Sequence, residues 1–336
     1  MPPPVARSYL TYRDDEGDIC NFFILRCDKV MMLRLALVLT FGFVLSSLGY
    51  SQAYSVDIAR DSARSDKRTG GRIEKGLLVR GDPNVRISIN LPAFEMTLWQ
   101  NGYAIRSYSI GIGLAEFPVA VSLRRASSID WNPIWIPPSS DWIEKSSTVK
   151  PGEIVLPTDR RNPLGKIKIP LGNGYLIHQA KGPGDLGNLV SHGCVRVLQS
   201  DLYDLTEKIV AAMELDVTPS QIAAAKRTKK TLVAPLDPFL PVEITYDTIV
   251  VEGGRLNIYP DVYRHKRNTV ENVRRELQTS GVDDGRLTDA EIRKMIAAAV
   301  GKRKFVVSVA AIRNGTALAA GRAVAVVQAI QRMISY

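Results

Sequence analysis

The chain has 336 residues, which is enough for one large domain or two small ones. Hydrophobic residues make up 45% and charged residues 23%, proportions typical of a globular protein and not of a low-complexity chain. The formal net charge is +10. A basic balance of this size favours an anionic partner, of which nucleic acid is one class.

An apolar run from Leu35 to Leu48 is the first strong feature, and basic residues precede it. Small residues at positions 51 and 53 follow it, in the pattern of a signal-peptidase site. We predict a secretory signal peptide over 31–53, cut after Ala53, because the run falls short of the roughly 20 apolar residues that a membrane span needs. An uncleaved anchor is the alternative. Residues 1–30 are interpreted as a doubtful extension.

The predicted export decides which of the three cysteines remain in the mature protein. Cys20 and Cys27 lie before the predicted cut, so the exported chain keeps Cys194 as its single thiol. A lone thiol in an oxidising compartment has no internal disulfide partner and is a candidate reactive group. A buried apolar cysteine is the alternative. We therefore expect a protein of the periplasm or cell envelope, with a polar linker over 54–84.

From residue 85 the pattern becomes that of β-strands, with apolar and polar residues alternating. The Gln100–Gly102 stretch is typical of a hairpin turn. The segment 130–175 is rich in tryptophan, proline and glycine, and it either walls a groove or packs its aromatic rings on the core. Strands are predicted over 85–89, 94–99, 103–110, 166–169 and 175–178, and a glycine-containing lip over 181–187.

Downstream, the spacing of apolar residues predicts a helix that starts near Ser200, with Ser200 and Asp201 as candidate caps. A linker is predicted over 235–241 and a strand hairpin over 242–263. His265 is interpreted as a surface residue.

Residues 266–336 have mostly helical patterns. Thr288 and Glu291 are predicted to form a capping box. A calcium loop around 283–291 is rejected, since Ser280 and Val282 stand where acidic or amide ligands are needed.

Two short stretches concentrate the groups of a nucleophilic site: Ile177-His178-Gln179 and Ser191-His192-Gly193-Cys194-Val195-Arg196. An imidazole can take the proton of a thiol and later return it to a leaving amine. Gly193 permits a tight turn that aims the amides of Gly193 and Cys194 at one point, as an oxyanion hole requires. The site residues are thus predicted to be Cys194 as nucleophile and His178 as base.

The Ser191–Arg196 motif, preceded by Ile177-His178, resembles the signature of the L,D-transpeptidases with a YkuD-like catalytic domain. The Asn132–Pro137 stretch resembles the family's NPxWxPP segment, and the Asn162–Gly165 stretch its NPLG turn. The resemblance covers about residues 85–200. Where the family usually has Thr-Pro-Thr-Gly, this chain has Glu116-Phe-Pro-Val-Ala120.

The resemblance implies roles for the site residues. Cys194 is the nucleophile and His178 the general acid and base, oriented by the backbone carbonyl of Gln179, where the family usually has glycine or serine. Gly193 supplies an oxyanion amide. Arg196 holds a substrate carboxylate, and substrate contacts also fall to Ser191 and His192.

The resemblance also implies a fold and an activity. The fold is a mainly β sandwich with a few helices over 85–200. From the residue patterns we expect a helix and strand hairpin extension over 201–265 and a helical region over 266–336, within a smaller α+β C-terminal part. The activity is attack on a peptidoglycan tetrapeptide stem and transfer of the acyl group to diaminopimelate (a 3→3 cross-link) or to a lipoprotein lysine, in cell-wall organisation and cell shape. No metal or organic cofactor is needed, carbapenems are expected inhibitors, and the export signal favours cell-wall polymer over nucleic acid.

Several alternatives differ in chemistry. Transfer to water would make an L,D-carboxypeptidase, and a dead site would leave a wall-binding protein whose thiol shows no lowered pKa. A zinc site made of His178, His192 and Cys194 lacks the usual ligand spacing. A papain-like protease has its cysteine early and its histidine downstream, the reverse of this order.

Overall fold

The computed structural model describes residues 9–13, 19–23 and 84–327. The chain divides into two compact units, Met1–Arg68 and Thr69–Tyr336. In the first, strands β1 (Tyr9–Arg13) and β2 (Ile19–Phe23) pair antiparallel. The predicted signal peptide, its cleavage site and nearly all of the predicted linker lie outside the described residues. No helix in the described ranges has the length and apolar character needed to cross a membrane.

The second unit begins with antiparallel strands, as their alternating patterns predict. Asn101 and Gly102 both have positive φ (54° and 80°), the geometry of a type I′ hairpin turn, which confirms that turn. The strands are β3 (Val85–Asn90), β4 (Glu95–Gln100), β5 (Tyr103–Gly113) and β6 (Ser122–Trp131).

Five further strands complete this sheet: β7 (Ile167–Pro170), β8 (Leu176–Gln179), β9 (Leu189–Ser191), β10 (Val195–Val197) and β11 (Leu232–Thr245). The order is β10-β8-β7-β6-β11-β3-β4-β5-β9. Because β10 also pairs with β5, the ladder of eight strands closes on itself. The prediction of a mainly β catalytic domain with few helices is confirmed.

Two helices cover this sheet, α2 (Gln199–Ala212) and α3 (Pro219–Arg227), and their apolar faces join its core. The predicted cap of α2 is wrong, because the cap residue is Leu198 and no side chain caps that end. In α3, Thr218 and Gln221 instead form a capping box.

Residues 132–165, which we call the cover segment, form a small core of their own. The segment contains the short helix α1 (Asp141–Glu144) and an isolated bridge between Trp135 and Val155. The apolar core residues are Trp135, Ile143, Val149, Val155 and Leu164, with Trp142 and Leu176 packed against them.

The C-terminal part is an α+β unit, as predicted for the smaller region. It holds a four-stranded sheet in the order β12-β13-β14-β15 and a separate core. The capping box of Thr288 and Glu291 is confirmed, and His265 is exposed as predicted. The elements are β12 (Ile249–Glu252), β13 (Arg255–Ile258), α4 (Val270–Thr279), α5 (Asp289–Ala298), β14 (Arg303–Ser308), α6 (Val309–Arg313), α7 (Ala317–Ala320) and β15 (Arg322–Ala325).

Strand β11 corrects two predictions. The linker predicted over 235–241 is wrong, because this proline-containing stretch is part of β11. Residues 232–235 and 240–241 pair with β6 and not with β3, so a proline nitrogen can face the unpaired side. The register shifts between Pro235 and Leu240. The hairpin predicted over 242–263 begins instead at Ile249, since 242–245 pair with both β6 and β3. The predicted domain boundary at residue 200 therefore separates β11 from the other strands of the same sheet.

Candidate active site

Strand β8 carries the predicted base, and strand β10 begins directly after the predicted nucleophile. The two strands run parallel, with Arg196 opposite His178 and Val195 opposite Ile177. Ile177 and Val195 point into the main core. Because side chains alternate along a strand, His178 and Arg196 point to the other face. Cys194 lies at the end of the turn that leads into β10, with a hydrogen bond to the backbone of Leu176 on β8.

That face is turned toward the cover segment. Leu176 lies two residues before His178, on the same face, and packs against the cover segment's small core. The candidate site is thus bounded by β8 and β10 below and by the cover segment above. The tryptophans of the 130–175 stretch differ in their surroundings. Trp131 is fully buried in the main core, Trp135 packs in the small core of the cover segment, and Trp142 stacks on His192.

The turn before Cys194 needs its glycine. Gly193 has φ of 102°, a left-handed conformation that L side chains rarely adopt. A Cβ on it would lie 3.3 Å from Cε1 of Tyr175. The predicted tight turn is therefore present, and its role in forming an oxyanion hole stays a prediction.

Ser191 stabilises the same turn with a hydrogen bond. Its Oγ donates a hydrogen bond of 2.5 Å to the carbonyl oxygen of Cys194, and the residue is only 1% exposed. The Ser191 side chain is thus engaged with the backbone of the turn, and its predicted substrate contact stays a prediction.

His178 is buried, and its pKa is far below the usual value for an imidazole. Burial, aided by the nearby positive charge of Arg196, lowers the pKa of its imidazole to about 3, and a backbone hydrogen bond with Leu164 opposes that shift. The imidazole is therefore neutral at physiological pH, the form that can accept a proton.

The predicted orienting bond from His178 to Gln179 is not seen at Nδ1. This buried nitrogen has no hydrogen-bond partner in the described part of the chain. The Gln179 side chain turns away, and its Oε1 accepts from the amide of Lys166 at 2.8 Å. Leu164 accepts from the amide of Gln179 at 3.2 Å. The backbone group acting on the imidazole is thus in the Asn162–Gly165 turn, and an orienting role for Gln179 stays a prediction.

The Cys194 thiol is half-buried, and its surroundings favour the protonated form. Burial raises its pKa, while a backbone hydrogen bond with Leu176 and the charge of Arg196 act in the opposite direction. The lowered pKa expected of a live thiol is therefore absent from the empty site. The thiol of Cys194 and the imidazole of His178 are thus both in their neutral forms, as a neutral pair.

Arg196 supplies the positive charge of the site. It is 8% exposed, and its Nη1 lies 3.8 Å from Oδ2 of Asp185 on the predicted lip. Nε and Nη1 have no hydrogen-bond partner among the residues described. Burial lowers the pKa of its guanidinium, opposed by Asp185. Donors left unpaired in a buried place are suited to an anionic group.

His192 is exposed and held between two aromatic rings. It stacks on Trp142 at 4.4 Å between centroids and meets Phe117 at 4.8 Å with tilted planes. Burial lowers the pKa of its imidazole, and Arg196 adds to that effect. His192 is thus part of an aromatic wall beside Cys194. The sequence pattern did not predict the roles of Phe117, Trp142 and Asp185; only the unusual Glu116–Ala120 stretch pointed to that wall.

Residues 84–233 match the family model of the YkuD L,D-transpeptidase catalytic domain. The resemblance to the L,D-transpeptidases is confirmed. The matched residues include α2, α3 and the first residues of β11, in addition to the strands before them.

One curated relative is "Probable L,D-transpeptidase YbiS" of Escherichia coli K12, which is 34% identical over 77 residues, or 23% of this chain. The match spans a quarter of that relative's length. Among solved structures, the catalytic domain of the Enterococcus faecium L,D-transpeptidase acylated by ertapenem is 14% identical, with 49% of this chain and all of that chain covered and a TM-score of 0.32. An L,D-transpeptidase from Mycobacterium smegmatis is 14% identical, with 48% and 58% covered and a TM-score of 0.30.

Proposed function

We propose that the L,D-transpeptidase domain forms an acyl-enzyme on Cys194 from a peptidoglycan tetrapeptide stem. The observation that supports the proposal is the parallel pairing of β8, which carries His178, with β10, which begins directly after Cys194. The family match supports the reaction class.

The first half-reaction is an addition followed by an elimination. The sulfur of Cys194 bonds to the carbonyl carbon of the third stem residue as His178 takes the thiol proton. The C–N bond to the terminal D-Ala then breaks, and the imidazolium returns the proton to the leaving amine. Because the resting pair is neutral, proton transfer and attack occur together.

Two groups are placed to stabilise charge in this step. The amides of the Gly193–Cys194 turn are assigned to the developing oxyanion. Arg196, with unpaired Nε and Nη1, is assigned to a carboxylate of the stem. Gln179 is assigned no direct role in either contact.

The second half-reaction transfers the acyl group to an amine. A diaminopimelate amine gives a 3→3 cross-link, and a lipoprotein lysine gives an anchored protein. Water would give the alternative activity, an L,D-carboxypeptidase. The raised pKa of Cys194 is the observation that favours the second alternative, an inactive wall-binding protein.

The rest of the proposal follows from this chemistry. The proposed reaction uses no metal or organic cofactor. Carbapenems are proposed to acylate Cys194, and the protein is proposed to act outside the cytoplasm, in the periplasm or cell envelope.

Mass spectrometry of products tests the proposal. Incubation with disaccharide-tetrapeptide should release D-Ala and yield a cross-linked dimer, an acceptor adduct or a tripeptide, depending on the resolving nucleophile. The Cys194→Ala variant should leave the substrate intact. Unchanged substrate with the wild-type protein would contradict the scheme and favour the wall-binding alternative.

A further inference from the structure

Tyr263 joins the C-terminal part of the chain to the loop that walls the candidate site. Its hydroxyl donates to the carbonyl oxygen of Gly113 at 3.0 Å and accepts from the amide of Val119 at 3.3 Å. These two bonds fix both ends of the 114–118 loop. We propose that Tyr263 is a positioning residue for the Phe117 wall and thereby for substrate binding, an inference that rests on the proposed function of the site.

The loop touches the nucleophile turn at three points. The amide of Leu114 donates to the carbonyl oxygen of Ser191 at 2.8 Å. The ring of Phe117 contacts that of His192, and a Cβ on Gly193 would lie 3.9 Å from the Phe117 carbonyl oxygen. A displaced loop would therefore change the space beside Cys194 that the stem peptide enters.

The loop folds back tightly on the end of β5. A Cβ on Gly113 would lie 2.1 Å from the carbonyl oxygen of Phe117, so this close approach requires glycine. Phe117 is nevertheless 39% exposed, which leaves its ring little support from the core. The position of the ring depends on hydrogen bonds at the loop ends, and Tyr263 supplies two of them.

Tyr263 is itself held rigidly. Its ring stacks on Tyr246 at 5.6 Å, and its amide donates to the Tyr246 hydroxyl at 2.7 Å. The Tyr246 hydroxyl donates to Asp261 at 2.6 Å, and Asp261 also accepts from the amides of His265 and Arg267, each at 2.9 Å. Burial raises the pKa of Tyr263 to about 12, so the hydroxyl remains a donor at physiological pH.

The residues of the 114–118 loop make it a determinant of substrate specificity at the site. The Glu116–Ala120 stretch replaces the Thr-Pro-Thr-Gly sequence usual in the family and presents an aromatic ring to the substrate. Tyr263 lies outside residues 84–233, so the segment after the matched domain shapes the substrate wall of that domain.

The test compares Tyr263→Phe with Tyr108→Phe. Both remove only a hydroxyl, and the Tyr108 hydroxyl bonds Asp204 at 2.8 Å, on helix α2. Loss of both hydrogen bonds predicts a KM for disaccharide-tetrapeptide roughly 5- to 10-fold higher in Tyr263→Phe, with kcat changed by less than about twofold. Tyr108→Phe should match wild type in both constants. A wild-type KM in Tyr263→Phe, or an equal rise in both variants, would overturn the proposal.

Amide hydrogen exchange separates this inference from the proposed function. The Val119 amide should exchange roughly tenfold faster in Tyr263→Phe than in Tyr108→Phe, because its hydrogen-bond acceptor is gone. If the wild-type protein turns over no substrate, the proposed function fails. The exchange rate of the Val119 amide then decides alone whether Tyr263 holds the 114–118 loop in place. Unchanged exchange at Val119 in Tyr263→Phe would refute it.

Discussion

At the scale of single residues, one hydroxyl group holds the turn that carries Cys194. The Oγ of Ser191 is buried and bonded to the carbonyl of Cys194. Replacing it with Ala leaves a carbonyl without its partner in a place that water does not reach. We expect Ser191→Ala to lower the free energy of unfolding by about 1–3 kcal/mol.

Urea unfolding measures this effect, with Ser128→Ala as a control that loses a hydroxyl bond to Asp130 on strand β6. The control should lose less, because its residue is not fully buried. Equal unfolding midpoints for Ser191→Ala and wild type would show that the bond does not hold the turn.

The neutral resting pair predicts how Cys194 reacts with iodoacetamide. Burial raises the pKa of the thiol, so the thiolate fraction stays small below pH 9. We expect the alkylation rate to rise by about tenfold per pH unit from pH 6 to 9. A plateau between pH 6 and 8 would instead reveal a thiolate paired with an imidazolium in the resting site.

At the scale of elements, the cover segment is tied at its base by Asn162. Its Nδ2 donates to the carbonyl of Pro133 at 2.9 Å, and its Oδ1 accepts from Leu164 at 3.0 Å. The Leu164 carbonyl acts in turn on His178. We expect Asn162→Ala to destabilise the protein by about 1–2 kcal/mol and to slow acylation of Cys194.

The matched control is Asn90→Ala, since Asn90 makes the same kind of two-bond clamp with Asp247, each bond 3.0 Å long. It should show a comparable loss in thermal unfolding and normal acylation. Equal acylation rates in Asn162→Ala and Asn90→Ala would show that the cover segment does not affect the reaction of Cys194.

The patterns that predicted β3 and β7 succeeded because burial alternates along these strands, which imposes alternation on the sequence. Strands β4, β5 and β8 were also predicted, although their burial does not alternate strictly. Strand β11 was missed because its prolines resemble a linker, and pairing with β6 outweighs that local signal. The site motif indicated Cys194 and His178 through family resemblance. The contact of Tyr263 with Gly113 joins residues 150 positions apart, and no local pattern encodes it.

At the scale of the whole molecule, the buried imidazole of His178 couples stability to pH. Its folded pKa, about 3, lies below the unfolded value of 6.5, so the unfolded chain binds the proton first as pH falls. The stabilising effect is complete above pH 6.5 and is lost progressively down to pH 3. A difference of one bound proton between the two states changes the free energy of unfolding by about 1.4 kcal/mol per pH unit.

A His178→Gln variant removes the contribution of this imidazole to the pH dependence of stability. Its urea midpoint should fall less steeply than that of wild type between pH 6.5 and 4.5, by an amount equivalent to about 2 kcal/mol. Parallel curves for the two proteins would mean that His178 is not buried in its neutral form.

The central claim is that His178 is the base that activates Cys194, and the rate of acylation by imipenem at pH 7 tests it most directly. Intact-mass measurement should show one adduct on wild type, located at Cys194 by peptide mapping and absent from Cys194→Ala. The His178→Gln variant should form it about 10²–10⁴-fold more slowly, the usual contribution of a general base. Equal rates for wild type and His178→Gln would contradict the account.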